Sequence, residues 1–75
     1  MSTSTKFPER LKIALEGYDK RDICYNLGKT DRSLRSWLAG ENLPMAGVIA
    51  DLCRLLEVSA DWLLGLTDDK PERFT

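Results

Sequence analysis

Apolar residues recur along this chain at intervals of three and four, and nowhere in sustained alternation. The first spacing lines up one face of an α-helix, whereas a half-buried strand needs a period of two. Phe7, Leu11, Ala14 and Leu15 follow the i, i+4, i+7, i+8 pattern and predict a first helix over about 7–16. Pro8 suits its first turn and Gly17 ends it. Ile23, Cys24 and Leu27 mark a second helix over about 20–27, with Asp19 as N-cap and Gly28 just past the end. Leu34, Trp37 and Leu38 give the buried face of a third helix over about 31–39, capped by Thr30 and stopped by Gly40. Arg32, Arg35, Ser36 and Ala39 fall on the opposite face. After the loop ENLP, a fourth helix is expected from near Pro44 to near Glu57. Val48, Ile49, Leu52, Cys53, Leu55 and Leu56 make it apolar nearly all round, which predicts the most buried helix of the protein. Ser59 caps a short fifth helix, 60–64, carrying Trp62, Leu63 and Leu64. No hairpin signal such as Asn-Gly or Asp-Gly occurs. The expected fold is therefore all-α, a compact bundle of about five short helices.

Length sharpens this picture. Seventy-five residues make one domain with a small core of marginal stability. Residues 1–5 read as a flexible polar leader, 6–66 as the folded domain and 67–75 as a loosely held polar tail. No apolar run is long enough to span a membrane, and the opening MSTSTKFPER lacks the core of a signal peptide, so a cytoplasmic protein is expected.

Composition narrows the chemistry. Histidine is absent, which removes the commonest general base and metal ligand. Cys24 and Cys53 are too few for a zinc site or disulfide scaffold, and both sit at apolar-periodic positions as small core residues. The carboxylates form no pair that suggests acid–base work. An enzyme is not expected, nor a metal, a cofactor or a small-molecule ligand. The net charge is −1, which counts against strong electrostatic binding of nucleic acid. Its distribution is uneven, however. Residues 19–36 hold five basic side chains against three acidic ones, whereas 51–75 hold three against six. One half can face phosphate while the other keeps the molecule soluble.

Only GKT separates the second and third expected helices. A turn this short, opening on glycine, sets two helices at a steep angle, as in a helix-turn-helix. Glycine adopts the left-handed conformation that the first residue after a helix usually needs. Cys24, four positions earlier, supplies a small side chain where the helices cross. Leu34 and Trp37, six and nine positions later, peg the third helix to the core.

With these residues the chain resembles the lambda-repressor-like DNA-binding domains of the Cro/C1 type. The resemblance spans about 7–66 and rests on FPERLKIAL, DICYNLGKTDRSLRSWLAGENLP and above all VIADLCRLLEVSADWLLGL. It implies a five-helix bundle whose third helix lies in the major groove of a double-stranded, palindromic operator, bound by a homodimer. On that reading Arg32, Arg35, Ser36 and Asp31 face the bases. Arginine can read guanine O6 and N7, and Asp31 can accept from cytosine N4 or simply favour the positive end of its helix. Lys20, Arg21, Lys29, Thr30 and Asn42 contact phosphates. Tyr25 is expected to be partly exposed, packed at an edge of the domain or, as the alternative, touching a phosphate. Dimerisation is expected through the fifth helix and tail, with Leu64, Leu66 and Phe74. The chain also departs from the family pattern. The loop EGYDK is short, and Leu38 stands where many members carry an acidic partner for the arginine of helix 1. Arg10 is thus left to pair with Glu41 or to stay in solvent. The implied function is that of a small transcriptional regulator. The low net charge and Asp31 motivate an alternative, a protein-binding module such as an antitoxin or adaptor.

Overall fold

The computed structural model describes residues 6–70, and Phe74 of the expected dimer surface and the leader 1–5 lie outside them. The described chain is all-helical, with α1 at Phe7–Ala14, α2 at Lys20–Leu27, α3 at Asp31–Leu38, α4 at Ala46–Leu56 and α5 at Ala60–Leu63. Local signals account for most of these limits. The Asp19 carboxylate accepts from the backbone N–H of Arg21, the Thr30 hydroxyl from Ser33 and the Ser59 hydroxyl from Trp62. Each satisfies a donor that the first turn of a helix leaves unpaired. Helix α1 stops at Ala14, two residues short of expectation, and α4 begins at Ala46, two residues after Pro44.

The helix contacts close a ring. Helix α1 packs on α3 and α5, α2 on α3 and α4, and α4 on α5. The centre is filled by Phe7, Leu11, Leu34, Leu52, Leu56 and Leu63, with Trp37 and Trp62 beside them. Among the described residues no polar or charged side chain is fully buried, so the core bears no uncompensated desolvation cost. The radius of gyration is 11.5 Å, close to the roughly 11 Å of a compact chain of this length.

One expectation is corrected here. Helix α4 is not the most buried. Only Leu52 and Leu56 are fully covered, while Val48, Ile49, Cys53 and Leu55 are half-buried and Met45, its N-cap, is 78 % exposed. Helix α1 buries more in fewer residues, with Phe7, Leu11 and Ala14 all fully covered. The cause is topological. The neighbours of α4 are the short α2 and the four-residue α5, which cover one stripe and cannot wrap its sides.

A second correction concerns the tail. The Arg10 guanidinium donates to the carbonyls of Trp62 (2.9 Å) and Thr67 (3.1 Å) and pairs with Asp68 Oδ1 at 2.9 Å. It also lies 4.8 Å over the Trp62 ring, in cation–π range. Lys6 reaches the same Asp68 oxygen at 3.3 Å. Residues 67–68 are therefore tied to α1 rather than loose, and the partner of Arg10 is Asp68, not Glu41 or solvent. The hydrogen bond from Arg10, helped by Lys6, holds the Asp68 carboxyl below its ordinary pKa of 3.8.

Candidate nucleic-acid interface

The turn joining α2 to α3 consists of residues 28–30. Gly28 takes the left-handed conformation at φ 69°, ψ 29°. It lets the chain fold back so that Gly28 N–H reaches the Tyr25 carbonyl (3.2 Å) and Lys29 N–H the Cys24 carbonyl (3.0 Å). These are the 5→2 and 6→1 bonds that close a helix C-terminus at a left-handed residue. Cys24 is buried under the turn, with Sγ 3.8 Å from the Thr30 carbonyl oxygen. Burial first, and the Asp31 charge second, raise its thiol pKa, and burial does the same for Cys53. Neither is a thiolate near neutral pH, and neither has the lowered pKa of a reactive cysteine.

Helix α3 turns Leu34 and Trp37 into the core, 1 % and 6 % exposed. That rotation leaves Asp31, Arg32 and Arg35 outward, with Ser36 half-buried at the margin. The four expected base-facing residues thus lie together on one surface. They are not equally placed. Arg35 Nε is 3.5 Å from Asp31 Oδ2, one helical turn away, so these two already engage each other. The Ser36 hydroxyl donates to Glu41 Oε1 at 3.2 Å. Arg32, Ser36, Glu41 and Asn42 line one open concavity beside the helix.

The expected phosphate contacts surround this surface. Lys29 and Asn42 are exposed on the turn before α3 and the loop after it, and Lys20 and Arg21 on the first turn of α2. Two details modify the expectation. The Thr30 hydroxyl is committed to capping α3, accepting from Ser33 N–H and sharing a second hydrogen bond with Ser33 Oγ, each at 3.2 Å. The Arg21 N–H is taken by the Asp19 carboxylate at 2.9 Å, so that donor of α2 is not open to an anion. Tyr25 does not pack at an edge as expected. It is 86 % exposed on α2, with its ring open to solvent.

Sequence reasoning missed Glu41 as part of this surface. The signal was present in Gly40, which ends α3 with a left-handed residue at φ 77° and turns the chain back over Ser36. Of the expected dimer residues, Leu64 is half-buried and Leu66 is 74 % exposed. Among the described residues no helix is long and apolar enough to cross a membrane, and no group of three His, Cys, Asp or Glu side chains converges to hold a metal. The sequence matches no protein-family model and no curated protein.

Proposed function

We propose that the protein binds double-stranded DNA with sequence specificity, using α2, its turn and α3 as a helix-turn-helix. Helix α3 lies in the major groove, and the protein acts as a small transcriptional regulator of the Cro/C1 kind in the cell interior. The observation that carries this reading is the division of α3. Leu34 and Trp37 anchor it while Arg32 and Arg35 stand outward on the same two turns. Arg32, in the first turn, has the donor fork that matches guanine O6 and N7. Lys20, Arg21, Lys29 and Asn42 lie where they reach the sugar-phosphate backbone on either side.

A single α3 covers only a few base pairs, so two copies on a palindromic operator are the expected form. Leu64 and Leu66 supply apolar surface for that pairing. Selection of bound duplexes from a random pool at low salt tests the whole reading. An enriched inverted repeat is the expected result, and no enrichment by folded protein overturns it.

A protein-binding module is the second reading. It draws on the exposed side chains of Met45 and Leu66, at 78 % and 74 %. Salt separates the two. Binding through several phosphates weakens steeply as salt rises, whereas an apolar protein interface does not.

A further inference from the structure

The C-terminal end of α3 is built differently from its start. The last helical bond runs from Ala39 N–H to Arg35 O (2.9 Å), and two further backbone bonds then fold the chain back, Gly40 N–H to Trp37 O (3.2 Å) and Glu41 N–H to Ser36 O (3.1 Å). The last of these places Glu41 beside Ser36, and the serine hydroxyl donates to its carboxylate at 3.2 Å. A serine hydroxyl has one proton. Once it points at Glu41, the outward side of the oxygen offers only lone pairs. The carboxylate is itself acceptor-only. This corner of the concavity therefore presents acceptors, whereas Arg32 on the same concavity presents donors.

Base edges in the major groove divide along the same line. Guanine O6 and N7 and thymine O4 accept, while the exocyclic amines of cytosine and adenine donate. We infer that Ser36 and Glu41 form an acceptor pair that selects a base carrying an exocyclic amine, cytosine N4 or adenine N6, at the end of α3 away from Arg32. The inference rests on the DNA-binding reading above. It gives the half-site a polarity, with an acceptor-rich base toward Arg32 and an amine toward Glu41. The same carboxylate repels phosphate, so it also lowers affinity for unrelated sequences.

The test uses the full chain and the duplex enriched by the wild type. Glu41→Gln keeps the shape and removes the charge, and Ser36→Ala removes the hydroxyl. Both residues lie outside the core, and thermal melts confirm that each variant is folded. Binding is measured on the enriched duplex, on each single-base change, and on duplexes carrying N4-methylcytosine or N6-methyladenine, whose methyl group displaces the amine hydrogen in the major groove. The wild type is expected to lose about tenfold in affinity on methylation at one position per half-site, as for one good base contact. Glu41→Gln is expected to lose most of that sensitivity and to bind random DNA several-fold more tightly, whereas Ser36→Ala, which leaves the charge in place, is expected to lose part of the sensitivity with affinity for random DNA unchanged. Equal tightening by Glu41→Gln on every sequence, with base preferences and methyl sensitivity intact, overturns the acceptor pair while leaving DNA binding standing. Absence of any enriched duplex for the wild type overturns the DNA-binding reading, and the acceptor pair falls with it.

Discussion

Gly28 offers a perturbation whose cost can be assigned to one cause. A Cβ built there meets no atom within 4 Å, so space is not limiting and only the backbone conformation opposes a side chain. At φ 69° an L-residue pays roughly 1–2 kcal/mol, offset by about 0.4–1 kcal/mol because replacing glycine stiffens the unfolded chain. Gly28→Ala should therefore destabilise by about 0.5–1 kcal/mol, and Gly28→Val by about 2 kcal/mol because a β-branched residue is a true outlier in this region. In a domain of this size each kcal/mol moves Tm by roughly 4–8 °C. Thermal unfolding followed by circular dichroism reads these differences. The decisive variant is D-alanine at position 28, introduced by chemical synthesis with ligation at Cys24 or Cys53. It is at ease with positive φ and keeps the unfolded-state gain, so it should raise Tm. Destabilisation by D-alanine equal to that of L-alanine would show that crowding, not φ, governs the turn, and the geometry assigned to residues 28–30 would be wrong. Glu57 is the mirror case, a non-glycine residue at φ 58° closing α4. Glu57→Gly relieves that strain but loosens the unfolded chain and loses an exposed hydrogen bond with Tyr18, for a net gain of about 0.5 kcal/mol.

Three further outcomes follow from the contacts described. Arg32→Ala should cost about 1–3 kcal/mol on the enriched duplex and relax its base preference, whereas Lys20→Ala should weaken all sequences alike and flatten the salt slope; equal losses on specific and random DNA would remove Arg32 as a base reader. Arg10→Met keeps contact with Trp62 but removes the donor to the Thr67 carbonyl and one of the two to the Trp62 carbonyl, which keeps its bond from the Gly65 N–H, so it should cost about 1–2 kcal/mol in denaturant unfolding, and an unchanged midpoint would show the clasp to be idle. Because the folded pKa of Asp68 is depressed, its contribution is present in full above the unfolded value of 3.8 and is lost as pH falls through the lower folded value. Asp68→Asn should thus narrow its stability gap to the wild type below that pH, and a constant gap from neutral to acid would contradict the pairing.

How far the sequence foretold this structure depends on how local each cause is. Helix α2 was placed to the residue because Asp19 and Gly28 bracket it with a cap and a left-handed stop. Thr30 and Ser59 fixed two more starts in the same way. The outward placement of Arg32 and Arg35 followed from the spacing of Leu34 and Trp37 alone. By contrast, the Arg10 clasp joins residues 58 positions apart and leaves no periodic trace. The half-exposed flanks of α4 were equally hidden, since an apolar pattern records what a helix can bury and not how long its neighbours are. Tyr25 misled for a similar reason, because no local rule says whether another element lies over a given face. Glu41 lay between these extremes: Gly40 signalled the stop, but only the backbone bonds of the turn bring the carboxylate to Ser36.

The central claim, that α3 is the surface that meets DNA, is tested most directly by amide chemical shifts of isotope-labelled protein titrated at low salt with a short duplex carrying one half-site. The account predicts the largest changes from Lys29 to Ser36, smaller ones at Lys20, Arg21, Glu41 and Asn42, and little change at Met45. Shifts concentrated around Met45 and Leu66 with α3 silent, or no shifts at all, would contradict it.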